Sequence, residues 1–146
     1  MKAGSRTTRC SCRLNRVFAV SEMIRVALVE DNDVFREALE LLLGLRPDMG
    51  VVASVADGAD AARVVAEVRP DVVLMDYRLP GLDGVQATRA VLDAYPDTAV
   101  VCLTASANPR EREALVEAGA VDCLQKDEGL DAIVEAIRRA SRPALA

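Results

Sequence analysis

Four short apolar runs along the chain each end in a charged or hydroxyl-bearing residue. Ile24-Arg25-Val26-Ala27-Leu28-Val29 runs into Glu30-Asp31, Asp71-Val72-Val73-Leu74-Met75 into Asp76, Thr98-Ala99-Val100-Val101-Cys102-Leu103 into Thr104, and Val121-Asp122-Cys123-Leu124-Gln125 into Lys126. Runs of this length and composition predict buried strands. Between them the apolar spacing turns helical. Val34, Ala38, Leu41, Leu42 and Leu45 predict an amphipathic helix after the first strand, capped by Asp31, Asn32 or Asp33. Residues 50–56 predict a second strand and 59–68 a short helix that ends before Arg69-Pro70. Leu79-Pro80-Gly81-Leu82-Asp83-Gly84 is turn chemistry leading into a helix over 85–94, closed by Pro96. Asn108-Pro109 reads as an N-cap with proline at the first helical position, and Gly119 ends that helix. Leu130, Ile133, Val134 and Ile137 form the buried stripe of a last helix.

Strands alternating with helices imply an α/β protein with a parallel sheet covered on both faces. Right-handed crossovers leave few arrangements, and the one expected is a flavodoxin-like (βα)5 three-layer sandwich, its five strands in the order 2-1-3-4-5. The first and third strands are then neighbours at the switch point. Glu30 and Asp31 face Asp76 across a small cleft, flanked by Thr104 and Lys126, at the carboxyl edge where open α/β sheets form their sites. Three carboxylates so close repel one another without a cation. Mg²⁺, a hard ion that takes oxygen ligands and keeps some of its waters, suits them. Lys126 is one of two lysines against 16 arginines, and the other is Lys2. A compact ammonium at that position points the same way.

A chain of 146 residues, 51% hydrophobic, buries one core, and with only 3% aromatics that core is aliphatic. The net charge of -5 is divided unevenly: residues 1–23 carry +4 through Lys2, Arg6, Arg9, Arg13 and Arg16 against Glu22, and the rest carries -9. An acidic body excludes direct nucleic-acid binding by this chain, which needs a basic face. Residues 1–22 are expected to be a basic, disordered extension or an upstream mis-assigned start, 23–141 the domain, and 142–146 a C-terminal tail. Val17-Phe18-Ala19-Val20 is too short for a secretory signal, and no run reaches the ~20 residues of a membrane span. Cys102 and Cys123 sit in strand runs as core residues, and Cys10-x-Cys12 has no histidine or second pair to make a zinc site. A reducing, cytoplasmic setting is expected.

From Ile24 to about Ala140 the sequence resembles a response-regulator receiver domain of bacterial two-component signalling. The resemblance rests on Glu30-Asp31, on Asp76 in Val-Leu-Met-Asp, on Leu79-Pro80-Gly81-Leu82-Asp83-Gly84, on Leu103-Thr104-Ala105, and on Ala118-Gly119-Ala120 before Lys126. The Glu-Asp pair and Lys126-Asp127 are most similar to the NarL-type subgroup. The resemblance implies that Asp76 accepts a phosphoryl group from a sensor histidine kinase. It implies that Asp31 and Asp76 ligate Mg²⁺ directly, Glu30 through water, and Arg78 through its backbone carbonyl. Lys126 would pair with one phosphoryl oxygen and Thr104 would hydrogen-bond another. Such a protein catalyses its own phosphorylation and dephosphorylation without being an enzyme in the ordinary sense. Its fourth helix, fifth strand and fifth helix form the face that responds, and a homodimer through that face is a further partner implied.

Two positions depart from the family's pattern. Cys123 stands where an aromatic switch residue is common, and Asp127 follows Lys126 where many receivers have a cis proline. Arg78 and Ser106 occupy the variable positions that govern access of water to the acyl phosphate. With 20 residues after Lys126, a helix-turn-helix does not fit, so a stand-alone receiver is expected. The alternative is a receiver cut from a DNA-binding transcriptional regulator. A more distant alternative is a flavodoxin-like enzyme or nucleotide binder, against which stands the acidic first loop, Glu30-Asp31-Asn32-Asp33, which repels phosphate without a metal.

Overall fold

A computed structural model of the chain describes residues 23–105 and 108–141. Five strands, β1 (Ile24–Val29), β2 (Met49–Val55), β3 (Val72–Asp76), β4 (Ala99–Thr104) and β5 (Asp122–Gln125), alternate with five helices. These are α1 (Asp33–Gly44), α2 (Gly58–Val68), α3 (Gly84–Ala94), α4 (Pro109–Glu117) and α5 (Leu130–Ser141), with a 3-10 turn at Lys126–Glu128. The sheet is parallel throughout in the order β2-β1-β3-β4-β5, as expected.

The central strand explains the layering. β3 is buried on both sides, and its side chains alternate between two cores. Val72 and Leu74 join Leu39 and Leu43 of α1 and Ile133, Val134 and Ile137 of α5. Val73 and Met75 join Ala61 and Val65 of α2, Ala87 and Val91 of α3, and Leu115 of α4. Both cores are built mainly from aliphatic side chains. Cys102 and Cys123 are buried opposite each other on β4 and β5, where burial pushes the Cys102 thiol up to about 12. At ordinary pH it is an inert core residue.

One expectation is corrected in α1. Val34, Ala38, Leu41, Leu42 and Leu45, the stripe read from the sequence, are exposed, Val34 by 79% and Leu41 by 66%, and Leu45 lies just past the helix end. The stripe facing the sheet is Phe35, Leu39 and Leu43. Both sets recur at helical spacing, so periodicity could not choose between them. The choice falls to the direction in which the chain leaves β1. Asn32 caps the helix by accepting from the Phe35 amide at 2.9 Å, which fixes the first turn with Phe35 inward.

Smaller differences concern boundaries. β2 spans Met49–Val55, not 50–56, and α2 and α3 each begin one residue early, at Gly58 and Gly84. All peptide bonds among the described residues are trans, Lys126–Asp127 included. No helix of the described residues is long and apolar enough to cross a membrane. The calls on residues 1–22, Cys10 and Cys12, Ser106 and residues 142–146 fall outside the described residues.

Candidate functional site at the carboxyl edge of the sheet

Register brings the strand-end residues together. Val29 pairs with Met75, so Glu30 and Asp76 are the next step on neighbouring strands. Asp76 pairs with Leu103 and Thr104 with Gln125, which places Thr104 and Lys126 on the other side of Asp76. Glu30 and Asp76 are only 2% and 5% exposed, whereas Asp31 is exposed. Glu30, Asp31 and Asp76 each offer a carboxylate oxygen, all within 4.8 Å of one another.

The acids are held by a few specific contacts. Glu30 Oε2 accepts from the Asn32 amide at 3.0 Å, and Arg36 donates to the Glu30 backbone carbonyl at 2.8 Å. Lys126 Nζ lies 2.9 Å from Glu30 Oε1 and 3.3 Å from Asp76 Oδ1, forming ion pairs with both. Its ammonium also stands 4.8 Å from the centroid of the Phe35 ring, within cation–π range. The pKa of Asp76 is raised to about 7, first by burial and then by the charge of Glu30, with Lys126 opposing. Burial draws the Lys126 ammonium down, but contact with Glu30 and the charge of Asp76 outweigh it, and its pKa is raised.

These residues fit a hard cation. The donors are carboxylate oxygens, and Glu30 Oε1 is buried with no well-directed hydrogen bond despite its ion pair. One ammonium against three acids leaves the cleft electronegative, which a divalent ion with oxygen ligands relieves.

The turn behind Asp76 holds it in place. Gly84 donates to the Tyr77 carbonyl at 2.7 Å as α3 begins, with Asp83 and Gln86 closing a capping box. A Cβ on Gly84 would come within 2.7 Å of the Asp76 carbonyl oxygen and the Tyr77 Cα, so only glycine allows this approach. Arg78 lies in that turn with its side chain exposed.

Thr104 is buried and donates its hydroxyl to Glu111 Oε1 at 3.3 Å. The other oxygen of Glu111 is 3.9 Å from Arg78 Nη2. The structure thus brings together Glu30, Asp31, Asp76 and Lys126, and sets Thr104 beside them with its hydroxyl on α4. Sequence reasoning missed Phe35, Arg36 and Glu111. Nothing local marks them, because each acts on a partner reached only through the fold.

The family model "Response regulator receiver domain" matches residues 26–138. The transcriptional regulatory protein LiaR of Bacillus subtilis is 35% identical over 120 residues, which cover 82% of this chain and 57% of LiaR. The chain spans about half the length of the curated relatives it matches. Among solved structures, the signal receiver domain of NarL from Mycobacterium tuberculosis is 32% identical with a TM-score of 0.73, covering 80% of this chain and 98% of that one. The receiver domain of sensor histidine kinase PA1611 from Pseudomonas aeruginosa, solved with a magnesium ion coordinated in its active site cleft, is 35% identical with a TM-score of 0.69, covering 82% and 98%. With the strand order, the acid-lined cleft and these matches together, the chain belongs to the response regulator receiver domain family of two-component signalling, among relatives of the NarL type.

Proposed function

We propose that this receiver is switched by phosphorylation of Asp76, with a sensor histidine kinase as donor. The observation that carries the reading is the placement of Asp76, buried at the end of the central strand with Glu30, Asp31 and Lys126 around it. An Asp76 carboxylate oxygen attacks the phosphorus of a phosphohistidine. A P–O bond forms as the P–N bond breaks, and the departing imidazole nitrogen takes up a proton. Little else is asked of the protein beyond positioning and charge neutralisation.

Lys126 begins paired with Glu30 and Asp76, and an incoming phosphoryl oxygen takes over part of that pairing. Thr104 supplies a hydroxyl to a second oxygen. Asp31 and Asp76 directly, Glu30 through water and the Arg78 carbonyl would hold Mg²⁺, which when bound neutralises phosphoryl charge and favours the ionised, nucleophilic form of Asp76. The same cleft would admit water to hydrolyse the acyl phosphate, making the protein catalyst of both its phosphorylation and its dephosphorylation. Exposed Val116 on α4 and Val121 before β5 support a responsive face over α4, β5 and α5 that meets an output domain, a protein partner or a second copy. The buried free thiols of Cys102 and Cys123 support a cytoplasmic location.

Acetyl phosphate with Mg²⁺, followed by intact-mass measurement, tests the assignment. The parent gains one phosphate and Asp76→Asn gains none; a labelled variant would reject Asp76.

A further inference from the structure

Glu111 is an acid on α4, 13% exposed by its side chain, whose two oxygens meet residues from two other elements: the Thr104 hydroxyl at 3.3 Å and the Arg78 guanidinium at 3.9 Å. We propose that Glu111 is a positioning residue that latches Thr104 in the unphosphorylated state, so that phosphorylation must take the Thr104 hydroxyl away from it. The inference rests on Asp76 being the phosphoacceptor.

A threonine hydroxyl carries one proton and donates one hydrogen bond. While that proton is directed at Glu111 Oε1, it cannot also serve a phosphoryl oxygen on Asp76. The two acceptors therefore compete for one donor. Register sets the two groups close, since Asp76 pairs with Leu103 and Thr104 is the next residue, and strand alternation sets the resting direction of the hydroxyl. Leu103 belongs to the core under α1 and α5, and Cys102 to the core under α2, α3 and α4, so Thr104 emerges on the α4 side. Asp76 follows Met75, which lies in that same core under α2, α3 and α4, and so emerges on the opposite side, where Lys126 and Phe35 meet it. Moving the hydroxyl to Asp76 releases Glu111, and with it the first turn of α4. The Arg78 pair is long and 78% exposed on the arginine side, so it is screened and secondary to the Thr104 bond. With Cys123 in place of a ring, this contact supplies a direct path from Thr104 to α4.

A contact that favours the unphosphorylated form weakens phosphoryl binding by the same factor. Beryllofluoride, a phosphoryl mimic that binds reversibly, measures that factor as a dissociation constant in the full chain with Mg²⁺. Glu111→Ala is expected to bind it about 3- to 10-fold more tightly than the parent, and Glu111→Gln, which keeps a neutral acceptor, to fall between them. In a Thr104→Ala background the Glu111→Ala gain should vanish. A merely structural Glu111 would leave the same change in both backgrounds. Equal affinity in parent and both single variants, or an undiminished gain without Thr104, overturns the latch. If the parent binds no better than Asp76→Asn, the phosphoacceptor reading itself fails and the latch falls with it.

Discussion

Asp76 carries the clearest residue-scale consequence of this site. Its folded pKa, about 7, lies above the ordinary 3.8, because burial and Glu30 both disfavour its charge. Between those values the folded protein holds a proton that the unfolded chain has released, so stability falls as pH rises from about 4 to about 7 and stays reduced above. Asp76→Asn removes that loss. With a metal chelator present, the variant should melt higher than the parent at pH 8, by at least about 3 °C, with the difference shrinking toward pH 4; a constant difference would contradict the assignment. Lys126 works in the other direction. Lys126→Met leaves Glu30 and Asp76 without their cation and should cost on the order of 2 kcal/mol at pH 8, less than a fully buried pair because Lys126 is 23% exposed. Denaturant unfolding at pH 8 measures it.

At the scale of elements, the turn from β3 into α3 decides where Asp76 sits. Gly84→Ala drives a Cβ against the Asp76 carbonyl and Tyr77 Cα, backbone atoms that cannot yield cheaply. That variant should lose stability and also take up acetyl phosphate more slowly, since one displaced atom belongs to the phosphoacceptor and the others to the residue after it. Gly44→Ala is the contrasting case. Gly44 ends α1 with nothing within 4 Å of a new Cβ, and alanine should stabilise by about 0.5 kcal/mol without changing labelling. Equal effects of the two substitutions on labelling would show that the turn does not position Asp76. The same scale separates what was legible from what was not. Proline at the start of α4 and the Asp83-Gly84 turn mark their elements through local chemistry, whereas α1 offers two apolar stripes and takes the one its cap turns toward the sheet.

For the molecule as a whole, the cleft couples ion binding to folding. A cation that binds only the native arrangement stabilises it by mass action, by about 2.7 kcal/mol at a hundredfold excess over Kd. Mg²⁺ should therefore raise the melting temperature of the parent. Asp31→Ala should lose most of that rise, since Asp31 is one of the three converging acids. A variant that keeps the full shift would place the ion elsewhere. Phosphorylation is expected to reach α4, β5 and α5 through Thr104. Thr104→Ala should accept phosphate at Asp76 yet show no phosphorylation-dependent change in hydrogen exchange over residues 108–140, and the parental change in that variant would route the coupling elsewhere.

The sequence by itself determined the order of strands and helices, the parallel sheet and the residues at its carboxyl edge. The elements follow from periodicity and turn residues written within a few residues of each position, and the handedness of crossovers, common to chains of L-residues, then limits how the strands are ordered. Glu30, Asp31, Asp76, Thr104 and Lys126 were legible for the same reason, each standing where an apolar run stops. Only the tertiary structure decided which face of α1 is buried, that Lys126 bridges Glu30 and Asp76 over the Phe35 ring, and that the Thr104 hydroxyl is directed at Glu111. These contacts join different elements. Their partners are chosen by how helices pack on the sheet, a choice that no local pattern encodes.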